Sequence, residues 1–571
     1  MTFASRVALS GVALLTLLAS ATPVAAQTTR SAVFDWFTYE GHDPVFEQFK
    51  PGPNEYRNPI VAGFYPDPSI VRRGDDYYLA MSSFSYFPGV PLFHSKDLVQ
   101  WEQLGSVLTR PSQLELDSSG VSRGIFAPVI REHAGTFYMI TTIADRGNFI
   151  VTTKDPRGPW SDPIWLPELV GGIDPSLFFD DDGRAYVVNN GPPVGKPLYD
   201  GHRAIWIQEF DVASNKMVGP RTVIVNGGVD ISKKPIWIEA PHIVKHDGKY
   251  FLICAEGGTA DQHSEVVFRS DSPKGPYTPG PSNPILTQRH LDPARPFPVT
   301  STGHADFVET QNGKWWAVFL GVRPYGDNLY NTGRETWLLP VRWENGWPMI
   351  LAGNATVPYA VRGPSIRITG DRVPPPPTSG NFTVRDDFSS TTLAPYWEFV
   401  RTPRQPVADL VSHPGSLTLE ARPAALGTRA QLSFVGRRQQ HLNATATTLM
   451  RFDPLKPGDI AGLVAFETDD FNYLLGVTLV DGKRSVQLIE RDGHRPTVVA
   501  TGPLSTAASD PVYLRITARG GKYDFSYATT PDKWTMLKTD ADGTVLSTKV
   551  AGGFSSNFVG VMLGMYAYGA P

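Results

Sequence analysis

Short apolar runs recur in pairs along the first 350 residues, and each pair is joined by a tight glycine turn. Asp67-Pro68-Ser69-Ile70-Val71 is followed by Gly74 and Tyr77-Tyr78-Leu79. Ala127-Pro128-Val129-Ile130 is followed by Gly135 and Phe137-Tyr138-Met139. The same opening returns at Asp174-Pro175-Ser176-Leu177-Phe178, Glu239-Ala240-Pro241-His242-Ile243-Val244 and Gly303-His304-Ala305-Asp306-Phe307-Val308. Glycine with Asp or Asn neighbours is the chemistry that tight hairpins need. Units then continue into a further strand and a closing aromatic, as in residues 93–101, 152–160 and 269–277. Five such units, about 50–65 residues apart, predict a five-bladed β-propeller. An irregular β-sandwich would not explain five matched openings.

Val373-Pro374-Pro375-Pro376-Pro377-Thr378-Ser379-Gly380 breaks this texture and reads as a stiff, extended linker over 373–381. Beyond it, Leu417-Thr418-Leu419-Glu420-Ala421 and Leu514-Arg515-Ile516-Thr517-Ala518 alternate as half-buried strands do. Asp481-Gly482 and Asp542-Gly543 mark hairpins. The expected fold is all-β, with a propeller over 27–372 and a β-sandwich over 382–571.

Composition narrows the function classes. With 571 residues the chain exceeds one core, and its 53 Gly and 51 Pro suit a loop-rich β protein. The net charge is −4 and no basic stripe occurs, so neither nucleic acid nor an anionic membrane is the expected partner. Residues 1–26 carry Arg6, an apolar stretch from Val7 to Leu18 and the small residues Val24-Ala25-Ala26. That pattern predicts a secretory signal peptide cleaved before Gln27, and export to the periplasm or the outside. The stretch is short for a membrane span. Asn354, Asn381 and Asn443 begin glycosylation-like triplets. The single cysteine, Cys254, lies in an apolar strand and reads as a buried, inert thiol.

The chemistry lies in the register of the repeat. Inner strands of a propeller converge on one channel, so Asp67, Ala127, Asp174, Glu239 and His304 should face a shared cavity. Three acids at one register repel, and at least one should have a raised pKa. Carboxyls divided between acid and base roles are the means of glycosidic-bond hydrolysis. Asp180-Asp181-Asp182-Gly183 instead falls at a hairpin and reads as a solvated turn.

Tyr65-Pro66-Asp67-Pro68-Ser69, Gly172-Ile173-Asp174-Pro175-Ser176-Leu177-Phe178, Ile238-Glu239-Ala240-Pro241-His242 and Gly333-Arg334-Glu335-Thr336 resemble the blade motifs of glycoside hydrolase family 43. The stretch from Asn58-Pro59-Ile60 to Trp101 is similar to its exo-acting β-xylosidases, which also carry a C-terminal concanavalin-like sandwich. The resemblance implies release of terminal xylose from xylo-oligosaccharides or arabinoxylan fragments. An α-L-arabinofuranosidase, or an enzyme with both activities, is the alternative. It further implies that Asp67 is the general base, Glu239 the general acid and Asp174 the modulator of Glu239. The mechanism would be inverting, with the Asp67 and Glu239 carboxyls roughly 6.5–9.5 Å apart to admit a water.

Arg334 resembles the family's sugar-binding arginine. His304 matches a channel histidine that in some members helps hold a hydrated calcium; a hydrogen bond to Asp174 or Glu239 is the other reading. No cofactor is otherwise required, and no dedicated metal site is expected. Phe126 and one of Tyr86 and Phe87 are the expected sugar platform. Phe554-Ser555-Ser556-Asn557-Phe558 is the expected sandwich segment to close the pocket, with Phe558 contacting substrate. Asp200-Gly201-His202-Arg203 and Lys233-Lys234-Pro235-Ile236-Trp237 depart from the xylosidase pattern and should border the pocket. The fructan hydrolases share the two-part architecture, but their Asn-Asp-Pro-Asn and Arg-Asp-Pro motifs are absent. A non-catalytic carbohydrate-binding propeller would have no need of the acids. Oligomeric state is open.

Overall fold

The computed structural model describes residues 30–366, 374–507, 510–552 and 557–571. The signal-peptide segment 1–26 lies outside the described residues, as do Val373 of the linker and Phe554, Ser555 and Ser556 of the expected closing segment.

Among the described residues, five antiparallel sheets of four or five strands follow one another along the chain. Their innermost strands are Ser69–Arg73, Val129–His133, Ile173–Phe179, Glu239–His246 and Thr300–Glu309. Each of these lies against the next, and the fifth returns to the first, which closes a five-bladed propeller. The ring is sealed where the chain enters it. The N–H of Ile60 donates to the carbonyl of Thr336, whose own N–H donates to that of Val61. Glu55–Arg57 pairs with Ala360–Arg362 beside that junction.

The axis is filled two to four residues beyond the expected catalytic register, with one polar side chain from each blade. Arg131 makes two hydrogen bonds to Asp306, at 2.7 and 3.0 Å, and donates to His242 Nδ1 at 2.9 Å. The Ser69 hydroxyl donates to Asp306 at 2.7 Å, and that of Ser176 to His242 at 3.2 Å. Buried polar groups are tolerated when mutually satisfied, and this layer plugs the channel beneath the acids.

The sandwich forms for the reason its alternation suggests. Val512, Leu514, Ile516 and Ala518 of Val512–Arg519 are buried, while the residues between them face outward. This strand belongs to one sheet, and Ile460–Thr468 and Met562–Tyr568 belong to the facing one. Asp481-Gly482 turns a hairpin with both φ values positive, at 48° and 74°. Asp542-Gly543 does not. The Asp542 carboxylate accepts from the Thr544 N–H and caps a short 3-10 helix, Gly543–Leu546.

The boundary between the two units differs from the sequence reading. Ser31–Gly41, inside the stretch assigned to the propeller, pairs with Leu417–Glu420, Asn443–Arg451 and Phe382–Asp386 of the sandwich. A strand with alternating burial fits either unit by pattern, and only the pairing decides. Over 374–381, the linker lies against the propeller: Thr378 donates its hydroxyl to the Ile60 carbonyl and accepts from the Ala62 N–H.

Arg323 fastens these parts together. It makes a bidentate pair with Glu335 at 2.7 and 2.8 Å, bonds Asp43 at 2.5 Å and donates to the Gln440 carbonyl at 3.0 Å. All of these groups are buried. Arg323→Ala strands two buried carboxylates, and should cost about 3–5 kcal/mol. Denaturant unfolding checks this; a loss under about 1 kcal/mol, the surface-pair range, would contradict it.

Candidate active site

A backbone kink delivers each acid. Asp67, Asp174 and His304 have φ of 54°, 51° and 54°, and Ala240, next to Glu239, has 51°. Strand pairing slips in register at these points in the third, fourth and fifth blades. The left-handed region is uncommon for non-glycine residues and costs about 1–3 kcal/mol each, so it persists where the surroundings enforce it. The side chains so placed converge. Asp67 accepts from Arg334 Nη1 at 2.8 Å and from the Ser82 hydroxyl at 2.6 Å. Asp174 accepts from the Ala240 N–H at 3.3 Å, which ties it to the peptide that follows Glu239. Asp67, Asp174, Glu239, Arg334 and His304 are all buried.

Their environments separate their protonation states. Burial opposes charge at Asp67, but the Arg334 guanidinium, His304 and the Ser82 hydroxyl outweigh it and hold its pKa below the usual value. At Glu239 the opposing charges of Arg334 and Arg203 are outweighed. Burial, then the charges of Asp174 and Asp67, push its pKa well up. Burial and Asp67 raise Asp174 to about 7, against the Ala240 N–H and two arginines. At neutral pH the site therefore holds an ionised Asp67 and a protonated Glu239, the division that acid–base cleavage requires.

Glu239 opens into a cavity of about 690 Å³ at the junction of the two units. Phe126, Arg123 and Trp237 line it from the propeller, and Phe471, Asn557 and Phe558 from the sandwich. The Ser122 hydroxyl donates to the Asn557 side chain and accepts from the Phe558 N–H, which pins the sandwich rim to the propeller. Phe558 stacks on Phe84 at 5.7 Å and meets Phe126 edge-on at 6.0 Å. Arg334 lies 5.5 Å from the Phe558 ring, and its buried Nε–H has no partner among the described residues. An aromatic wall beside an unspent guanidinium donor suits a sugar with one apolar face and several hydroxyls.

Several expectations need correction. Tyr86 and Phe87 form no platform: as a two-residue strand they pair with Phe399–Val400 and are buried at the seam between the units. That seam is a contact with residues some 300 positions away, which no local pattern announces. Phe84, four residues past the strand Asp76–Ala80, is the ring that joins the wall. His304 sits beside Asp67, its Nδ1 3.6 Å from Oδ1, rather than bonding Asp174 or Glu239. Burial lowers its pKa to about 4, so the imidazole is neutral. A hydrated calcium beside His304 would have to take most of its oxygen ligands from water. The carboxylate beside the ring is already held by Arg334 and Ser82, and Arg131 occupies the layer below.

Asp180 is no solvated turn residue. It is buried and takes bonds from Lys245 at 2.8 Å and Tyr250 at 2.7 Å on the next blade, while Asp181 and Asp182 stay exposed. Cys254 is buried, and burial raises its thiol pKa well above the ordinary value, as expected of an inert residue. Sequence reasoning missed Ser82, which offers no signal beyond lying two residues past a strand.

Arg334→Met removes the main opposing cation from Asp67, whose pKa must then rise. The acid limb of the kcat/KM–pH profile should move to higher pH, with kcat/KM reduced about 10²-fold or more. A limb that stays in place would contradict the pairing.

An ionised carboxylate and a protonated one, buried together at the axis of a five-bladed propeller under an aromatic wall, define an acid–base glycoside hydrolase. Comparison with known proteins agrees. Residues 56–348 match the Glycosyl hydrolases family 43 description, and residues 385–571 match the Beta xylosidase C-terminal Concanavalin A-like domain. A "Xylosidase/arabinosidase" of Butyrivibrio fibrisolvens is 44% identical over 423 residues, 73% of this chain and 78% of that protein. A "Non-reducing end alpha-L-arabinofuranosidase" of Bacteroides ovatus is 37% identical over 520 residues, 90% and 91% of the two chains. The crystal structure of a GH43_12 retrieved from capybara gut metagenome superposes with a TM-score of 0.86 at 41% identity, covering 95% of this chain and 100% of that one. The chain belongs to glycosyl hydrolase family 43 and cleaves O-glycosidic bonds.

Proposed function

We propose that this enzyme removes single terminal pentosyl units from xylan- and arabinan-derived oligosaccharides by inversion, acting on both α-L-arabinofuranosides and β-xylosides. The observation that carries this reading is the split between Asp67, held ionised by Arg334, and Glu239, kept protonated by burial. Asp67 is the base that draws a proton from water as it attacks the anomeric carbon. Glu239 is the acid that protonates the departing oxygen. Asp174 raises the Glu239 pKa and, through the Ala240 N–H, fixes the peptide beside it. Arg334 binds a sugar hydroxyl while orienting Asp67.

Two features support an exo mode. The polar layer of Arg131, Asp306 and His242 blocks the channel below, and the sandwich walls one side of the cavity. Two relatives whose names pair or specify arabinosyl cleavage support dual action over a strict xylosidase. The two sugars differ by ring size and one hydroxymethyl group, differences a pocket separates by small factors. Export through the 1–26 segment belongs to the same reading. No helix among the described residues is long and apolar enough to cross a membrane.

The test is product analysis on 4-nitrophenyl α-L-arabinofuranoside, 4-nitrophenyl β-D-xylopyranoside and xylobiose, with the first-formed anomer read by proton NMR. Cleavage of both aryl pentosides with inversion is expected. Absence of hydrolysis on all three, or retention of configuration, would overturn the reading.

A further inference from the structure

Trp237 stands two residues before Glu239 and is 37% exposed, an unusual state for so large a ring beside a buried acid. Its φ is 49°, and left-handed backbone at a bulky residue survives only when the surroundings impose it. Here they do. The Trp237 N–H donates to the Gly201 carbonyl at 3.0 Å, and the Arg203 guanidinium lies 4.8 Å from the ring. Arg203 is itself fixed by Asn190 Oδ1 at 2.6 and 2.9 Å and by the Gly171 carbonyl at 3.0 Å.

The ring is a shared wall. It lines the catalytic cavity, and it also lines a groove of about 530 Å³ bounded by Leu198, Tyr199, Gly201, His202 and Arg203. This groove is built firmly. Tyr199 stacks on His202 at 4.9 Å and donates to the Pro235 carbonyl at 2.9 Å, and His202 bonds Asn226 at 2.9 Å. Leu198 and Ile236 are nonetheless 71% and 50% exposed. Apolar surface left open beside a strained, clamped aromatic, running on from the cavity where the acid meets the leaving oxygen, has the character of a sugar-binding track.

We infer that the groove behind Trp237 binds the leaving group, an oligosaccharide of at least two sugar units, with Trp237 as its stacking platform. This deepens the proposed function and rests on it. The pocket beside Glu239 takes the terminal pentose, and the glycan it leaves runs over Trp237 toward Leu198 and Tyr199. Trp237 is a specificity-determining residue in this account, because its contacts lie beyond the scissile bond.

The experiment measures kcat/KM on xylobiose and xylotetraose, and on the arabinofuranosyl-substituted disaccharide and tetrasaccharide of xylose, beside both 4-nitrophenyl pentosides. The wild type should favour the longer leaving group. Trp237→Ala should lose about tenfold more on the longer member than on the aryl glycoside, the factor that one good stacking contact supplies. Trp237→Phe should restore most of the length preference, which a loop that had merely misfolded would not show. Equal losses by Trp237→Ala on every substrate, or a wild type indifferent to leaving-group length, would overturn the inference while leaving the pentosidase reading intact. A wild type inert on both aryl pentosides would instead remove the pentosidase reading and this subsite with it.

Discussion

Asp67→Asn should lower kcat/KM by about 10³- to 10⁴-fold on every substrate, the range general-base removal commonly produces. The amide can still accept from Arg334 but cannot take a proton from water. The loss should be the same for aryl glycosides and for oligosaccharides, because both need the same attacking water. A second effect follows from the electrostatics. The Asp67 charge is one of the causes that raise the Glu239 pKa, so its removal should shift the basic limb of any residual activity to lower pH. Initial rates across substrates and pH check both statements. Since Asp67 also holds Ser82 and Arg334, a circular dichroism melt should show that the variant remains folded.

Glu239→Gln should instead discriminate between leaving groups. With xylobiose the departing alkoxide needs a proton, and kcat/KM should fall about 10³-fold. With a 2,4-dinitrophenyl pentoside the leaving group departs unaided, and the loss should be about tenfold or less. Plotted against leaving-group pKa, the variant should show a steep negative slope where the wild type is nearly flat. Equal losses across the series would assign the acid role to another residue. Asp174 is the natural competitor, as its pKa is raised to about 7.

Much of this was legible in the chain because the fold repeats. Asp67, Asp174 and Glu239 occupy one register, and a repeat with rotational symmetry brings such positions together without any need to know the loops. Val512–Arg519 was legible because its alternation survives at every position. What could not be read were contacts between distant segments. Tyr86 and Phe87 have the composition of a sugar platform, yet a pairing with Phe399–Val400 buries them. Ser31–Gly41 alternates like a blade strand, yet its neighbours are strands of the sandwich. Asp180 looked solvated within an acidic turn, and only the next blade supplies Lys245 and Tyr250 to it. In each case the local pattern was sound and the partner lay elsewhere in the sequence.

The sandwich is part of the site. Phe471, Asn557 and Phe558 reach the cavity that Glu239 opens into, and the Ser122 contacts to Asn557 and Phe558 hold that rim in place. Buried Arg401 bonds Asp469 from the sandwich and donates to the Ser119 carbonyl of the propeller at 2.7 Å, a second fastening near the same rim. The two units thus share one pocket, and Arg323 on another part of their seam keeps them in register.

The account depends on two neighbouring buried carboxyls carrying opposite protonation states at neutral pH. The most direct measurement is the pH dependence of kcat/KM on xylobiose, whose leaving group needs the proton, for the wild type and for Glu239→Gln. The account predicts a bell for the wild type, with its acid limb below the ordinary aspartate value and its basic limb well above the ordinary glutamate value, and a variant that keeps the acid limb and loses the basic one. A variant that retains the wild-type basic limb would show that the titrating proton does not reside on Glu239.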